Sequence, residues 1–237
     1  YTIYSSGVFQ IPGQELQFRD WKRGGHGRVD LIESLAQSVN SYYYQLALDL
    51  GIDRMHEFLG RFGFGAPTGV DLYGESGGIL PSREWKRARF DQPWYPGETV
   101  IAGIGQGYNV TTLLQLANGT AALAGQGQRY RPRLVHALRA GFDQPMRPLP
   151  AQLVVADLVR HPANLALVQR GLEAVMNSPT GTARAAAKGA SYRMAGKTGT
   201  AQRVSRNRDS EVQRTLGAGQ KNQALFVGYA PTESPQI

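Results

Sequence analysis

The sequence predicts an α+β fold in which an antiparallel sheet is flanked by helices. Three observations predict it. Apolar residues recur at helical spacing in separate runs between Asp30 and Lys188, and the pattern becomes extended from Tyr192. Two extended runs near the end are joined by a long polar loop, which suits an antiparallel pair. The helices precede the strands instead of alternating with them, which argues against a βαβ array. A chain of 237 residues suits one large domain or two small ones, and 41% hydrophobic against 19% charged residues excludes a disordered or collagen-like chain.

Residues 1–29 are rich in Gly, Ser and charge and read as loop with short extended pieces. Asp30 is an N-cap, with Glu33 three residues on and Leu31, Leu35 and Val39 on one face of a first helix. A second helical run covers 42–50 and stops at Gly51. A third covers 53–62, with Met55, Phe58, Leu59 and Phe62 at helical spacing and Gly63 after it. Residues 63–110 are irregular and rich in Gly and Pro, a length of loop that is usually functional. A helix is expected over 111–124, its core residues being Leu113, Leu114, Leu116, Ala117 and Leu123, then a strand over 131–139 and a Pro-marked surface segment over 140–163. An amphipathic helix follows over 164–176, carried by Leu165, Leu167, Val168, Leu172 and Val175, and a short Ala-rich helix over 183–188. Strands are expected over 192–204 and 224–230, with a basic loop over 205–222 between them.

Composition excludes several functions. Cysteine is absent, which removes disulfides, thiol catalysis and thiolate metal sites. There is no run of 18 apolar residues, so no segment is expected to span a membrane, and no signal-peptide pattern is visible. The net charge of +8 is dispersed, and neither an RNA-binding aromatic signature nor zinc-finger spacing accompanies it. Binding to nucleic acid is therefore not expected. The chain opens on Tyr1 instead of methionine and reads as cut from something longer.

Two short motifs carry chemistry when taken together. Ser38-Val39-Asn40 lies at a break between two helical runs, and Lys197-Thr198-Gly199-Thr200 lies inside the first C-terminal strand. Alone, the first reads equally well as a helix cap and the second as an exposed edge strand. Together they supply what a serine acyltransferase needs around its nucleophile. Ser38 is suited to proton transfer and Asn40 to hydrogen bonding a substrate amide. Lys197 offers positive charge, and Thr198 and Thr200 offer hydroxyls for a substrate carboxylate. Gly199 removes a side chain where an extended substrate would lie, and an edge strand accepts a peptide by β-addition.

Ser-x-Asn followed by Lys-Thr-Gly resembles the second and third motifs of the penicillin-binding proteins and serine β-lactamases. Residues 18–22, 25–27, 44–47, 51–54, 81–86, 93–95 and 103–108 narrow the resemblance to the penicillin-binding protein 2 family, the class B D,D-transpeptidases of lateral wall elongation. The resemblance covers nearly the whole chain and implies the penicillin-binding protein/serine β-lactamase-like transpeptidase fold. It also implies peptidoglycan cross-linking through an acyl-enzyme, inhibited by β-lactams. In that scheme Ser38 relays protons, Asn40 orients the donor peptide and Lys197 sustains the charge balance. Thr198 binds the terminal carboxylate, and the Thr200 N–H forms half the oxyanion hole. The implied partners are stem peptides ending in D-Ala-D-Ala, β-lactam antibiotics, a SEDS-type glycosyltransferase and other elongation-complex proteins. The implied location is the periplasmic side of the inner membrane, with the membrane anchor outside this segment. A catalytically dead module that binds wall peptide or penicillin is the alternative reading, and a serine β-lactamase or sensor relative is another.

The chain departs from the family pattern in four ways. The family's nucleophile lies in a Ser-x-x-Lys upstream of Ser-x-Asn, and no serine here is followed three positions later by lysine. Residues 1–237 are thus expected to be a partial transpeptidase domain, truncated at both ends and inactive as it stands. The segments expected to be missing are the start of the sheet, its closing strand and a C-terminal helix. Leu113 stands where the family has Pro after Thr, and a local packing change is expected there. Some relatives hold zinc through two Asp, one His and one Cys near Ser-x-Asn. Asp20 and His26 match two of those positions, while Ser5 and Val39 stand at the others. Two ligands do not close a zinc site, so no metal and no cofactor are expected, and Asp20 and His26 are read as a hydrogen-bonded pair.

Overall fold

A computed structural model describes residues 1–201 and 222–236. The basic loop expected over 205–222 therefore lies almost wholly outside the described residues, as do positions 202–204 at the end of the expected first strand.

The N-terminal stretch is more regular than its glycine content suggests. It forms β1 (Ile3–Ser5), β2 (Val8–Gln10), β3 (Gln17–Arg19) and β4 (Gly27–Val29), with β1 paired to β4 and β2 to β3, both antiparallel. Helix α1 (Leu31–Ala36) starts as read, because the Asp30 carboxylate accepts the Glu33 N–H at 2.9 Å. Helix α2 (Asn40–Arg61) joins the second and third predicted helical runs across a kink at Gly51, whose φ of 75° is left-handed territory. Val39 is not on α1; it fills the break between the helices and is buried with Val29 and Tyr42.

The segment 63–110, read as irregular, contains α3 (Arg83–Phe90) and α4 (Pro96–Ala102). Helix α5 (Leu113–Ala124) is present, but its inward face differs from the expected one. Gln115, Gly119, Ala122 and Ala124 are buried, whereas Leu113 is 71% exposed. The reason is that α5 packs partly on the backbone of the preceding glycine-rich loop. The Gln115 amide donates to the carbonyls of Ala66 (2.7 Å) and Gly77 (2.8 Å), satisfying loop groups that no regular element pairs. Leu113 occupies the first helical position after the Thr112 cap, the place where proline is favoured. Its exposure corrects the expected packing change to a change in how the helix starts.

The strand expected over 131–139 is reduced to β5 (Arg129–Tyr130) and β6 (Ala137–Leu138). Their partners, β8 (Leu153–Val155) and β7 (Arg147–Pro148), come from the segment read as surface loop. Helix α6 (Pro162–Asn177) buries Leu165, Leu172, Val175 and Met176 and leaves Leu167 at the surface. Helix α7 (Arg184–Ala187) follows.

The two closing strands, β9 (Ala195–Ala201) and β10 (Gln223–Tyr229), pair antiparallel over seven residues, from Ala195↔Tyr229 to Ala201↔Gln223. Ala195 and Tyr229 pack with Ala124 and Leu172 of α5 and α6, so these helices cover the sheet and the α+β reading holds. Helix α6 also meets α1, and Val175 and Met176 are buried beside Leu35. Among the described residues β9 has one strand neighbour, β10.

Candidate active site

Ser38 stands at the end of α1 in the left-handed region, with φ of 55°. Its N–H donates to the Leu35 carbonyl at 3.2 Å, and the Val39 N–H donates to the Ser34 carbonyl at 3.0 Å. These two bonds make a Schellman termination in which serine occupies the place usually given to glycine. Asn40 is the first residue of α2 and is partly buried.

Across 159 residues of sequence, the Lys197 ammonium donates to Ser38 Oγ at 2.9 Å and to the Thr198 carbonyl at 2.8 Å. Two packing relations bring them together. Helix α6 rests on α1 with one side and supports β9 with another, and the Thr182 N–H donates to the Ala36 carbonyl at 3.0 Å. The Thr182 hydroxyl then meets the Thr198 hydroxyl at 2.9 Å. Burial pushes the Lys197 ammonium down to about 8. Desolvation disfavours its protonated form.

Gly199 and Thr200 are exposed. A Cβ on Gly199 would touch only Leu225, at 3.4 and 3.9 Å, so the described protein does not itself demand glycine there. Gln106 was not singled out by sequence reasoning, yet its amide donates to the Thr200 carbonyl at 2.7 Å. It sits between Gly105 and Gly107, both at positive φ, in a loop held by the Asn109 amide on the Gln106 carbonyl. The Gly-Gln-Gly run was the available signal, because a side chain between two left-handed glycines is aimed by its turn. Thr182 had no such signal. The structure thus joins Ser38, Lys197 and Thr198, places Thr200 beyond them on the same strand, and adds Gln106 and Thr182.

Asp20 and His26 lie close without the expected hydrogen bond, since His26 Nε2 is 3.7 Å from Asp20 Oδ1. The carboxylate is engaged elsewhere. It accepts the backbone N–H groups of Asn40 (2.8 Å) and Ser41 (2.9 Å) and the Ser41 hydroxyl (2.5 Å). Beside it stand Ser5, a weak neutral oxygen donor, and Val39, which has no donor. Among the described residues no three His, Cys, Asp or Glu converge. The residues present do not fit zinc.

A cavity of about 640 Å³ lies between β3 and α4, lined by Phe18, Trp94, Tyr95, Glu98, Ile101 and Tyr108 among others. It contains none of Ser38, Asn40, Lys197 or Thr198. The polar cluster, with its displaced lysine and exposed strand, has the stronger claim to chemistry.

A lysine on an edge strand facing a serine at a helix break is the arrangement of the penicillin-binding transpeptidases. The profile of the penicillin-binding protein transpeptidase domain matches residues 2–237, and the chain belongs to that family. It is similar to the peptidoglycan D,D-transpeptidase MrdA of Haemophilus influenzae, with 37% identity over 239 aligned residues, covering 100% of this chain and 36% of that protein. Penicillin-binding protein 2 of Pseudomonas aeruginosa, solved in complex with WCK 5153, is 40% identical, with a TM-score of 0.82 over 100% of this chain and 49% of that one. Penicillin-binding protein 2 of Helicobacter pylori, solved in complex with MreC, is 30% identical, with a TM-score of 0.81 over 100% of this chain and 40% of that one. The chain thus spans between a third and a half of the proteins it resembles.

Proposed function

We propose that the full-length protein is a peptidoglycan D,D-transpeptidase and that this chain supplies its substrate-holding groups. The observation that carries the reading is the Lys197–Ser38 contact at 2.9 Å, with Thr198 beside it and the exposed Gly199-Thr200 edge beyond. The acylated serine belongs to a Ser-x-x-Lys outside these residues. Its hydroxyl attacks the penultimate D-Ala carbonyl, the C–N bond to the last D-Ala breaks, and the freed amine takes a proton. The acyl group then passes to an amine of a neighbouring stem peptide, and the serine proton is restored.

Ser38 Oγ, already hydrogen-bonded to Lys197, relays that proton. Lys197 and the Thr198 hydroxyl hold the terminal carboxylate, and the side chain of Asn40 orients the donor amide. The Thr200 N–H stabilises the oxyanion. With Gly199 bare, a peptide lies along β9 as an added strand. β-Lactams enter as mimics of the dipeptide. An anchor outside this segment places the domain on the periplasmic side of the inner membrane; among the described residues no helix is long and apolar enough to cross one. The similarity to a protein solved with MreC supports partners of the elongation complex, and a SEDS-type glycosyltransferase is proposed with them.

The test is the intact mass of the full-length protein with and without a penicillin. One adduct, mapped to a serine of Ser-x-x-Lys, is the expected result. A protein that binds penicillin without a covalent adduct would instead be the catalytically dead module.

A further inference from the structure

We propose that Asp20 is a positioning residue for the Ser38–Asn40 motif, acting as a long-range cap on α2. Helix α2 begins without a cap of its own, because Val39 stands at its N-cap and has no side-chain acceptor. The first N–H groups of a helix need partners. Two of them, on Asn40 and Ser41, are bound by the two oxygens of one carboxylate brought from 20 residues away in sequence. Asp20 is 8% exposed, and its anionic charge lies at the positive end of the helix dipole.

The carboxylate is itself fixed. The Asp20 N–H donates to the Gly7 carbonyl at 3.0 Å, and the Ser5 hydroxyl lies 3.4 Å from Oδ2 and 2.8 Å from the Ser41 hydroxyl. The N-terminal hairpins are thereby tied to the residue that follows the α1–α2 break. Ser38, on the near side of that break, has a backbone conformation that serine adopts only when its surroundings hold it. The Schellman bonds hold it from α1, and Asp20 holds it from α2. The carboxylate is satisfied by hydrogen bonds, so Ser5 and Val39 beside it are compatible with an ordered site.

This inference rests on the transpeptidase reading for its kinetic arm alone. In the full-length protein, Asp20→Asn puts an amide donor against backbone donors. It is expected to lower the rate constant of penicillin acylation at saturation tenfold or more, with the pre-acylation binding constant changed less than threefold. Ser6→Ala removes an exposed hydroxyl that donates to the Val8 carbonyl and does not touch the carboxylate, and is expected to leave that rate constant within threefold. The second arm is hydrogen exchange at the Asn40 and Ser41 amides, expected to quicken tenfold or more in Asp20→Asn but not in Ser6→Ala, whether or not the protein acylates. Unchanged exchange in Asp20→Asn overturns the proposal, as do equal acylation losses in both variants. Loss of acylation on chelation, restored by zinc, overturns it too. Should Asp20→Asn fail to fold, Ser41→Ala carries the test, with a two- to fivefold loss in the same rate constant expected and an unchanged one overturning it.

Discussion

At Ser38 two demands meet in one residue. The chain reversal between α1 and α2 calls for φ of 55°, which glycine meets without strain, while the contact with Lys197 calls for a hydroxyl. A side chain in the left-handed region costs about 1 kcal/mol. Ser38→Ala and Ser38→Gly both lose the hydroxyl, so in the full-length protein both should lose penicillin acylation alike. The glycine variant should nevertheless be more stable than the alanine variant by about 1 kcal/mol in urea unfolding. Equal stabilities would mean that the left-handed backbone is not retained. Lys197 gives a second prediction, in pH. Its folded value of about 8 lies below the ordinary 10.5, so folding disfavours its charged form. The penalty, about 3 kcal/mol, is fully present below pH 8 and relieved as pH rises towards the unfolded value. Between those limits the unfolded chain binds more protons, and stability should rise with pH. Lys197→Met should be the more stable protein at pH 7 and should lack that rise, which unfolding at pH 7 and 9.5 measures; parallel pH curves for the two would show that Lys197 is not displaced.

Among the elements, α3 and α4 show why the middle of the chain was hard to read. Helix α3 has eight residues, and its buried one is Lys86, 1% exposed, so no apolar stripe announces it. Its start was legible in principle, since Ser82 accepts the Trp85 N–H at 3.1 Å. Helix α4 is likewise marked by Pro96 and Glu98 near its start, but seven residues carry too little periodicity to outweigh the surrounding glycines and prolines. The longer helices were legible from their spacing, and so was the β9–β10 pair. The inward face of α5 was not, because it packs against loop backbone, where Gln115 serves better than leucine. Of the site, the residues in motifs were legible and Gln106 was marked by its flanking glycines, whereas Thr182 became visible only through packing. What holds α3 to α4 is the Lys86–Glu98 ion pair at 2.5 Å, with Glu98 also accepting the Tyr95 N–H and the Tyr108 hydroxyl. Glu98→Ala leaves a buried ammonium with no anionic partner, only the face of the Tyr95 ring at 4.4 Å, and should cost about 3 kcal/mol in unfolding free energy. Lys86→Met in the same background should restore most of it, and a Glu98→Ala protein of unchanged stability would show that the pair is not desolvated.

For the molecule as a whole, the decisive fact is that the site exists only when distant segments pack. Ser38 comes from the end of α1, Lys197 from β9, and α6 touches both. The tightest point of that arrangement is Gly171, where α6 crosses α1. A Cβ there would stand 2.3 Å from Leu35 Cδ1 and 3.1 Å from Leu35 Cβ. Moving the tip of the leucine relieves the first approach, but the second requires the helices to separate. Replacing glycine within a helix gains up to about 1 kcal/mol in propensity, whereas overpacking a closed contact costs about 1–3 kcal/mol. For Gly171→Ala the two nearly offset each other. For Gly171→Val the added bulk and the weaker helix propensity act in the same direction, and a net loss of about 2 kcal/mol is expected. Because α1 carries Ser38 at its end, the valine variant should lose penicillin acylation in the full-length protein by more than its unfolded fraction accounts for. Tm and acylation rate measured on the same samples separate the two effects. A variant that is destabilised yet acylates normally once folded would show that the Ser38–Lys197 contact tolerates displacement of α1, and that the site is set by Asp20 and the N-terminal hairpins more than by α6.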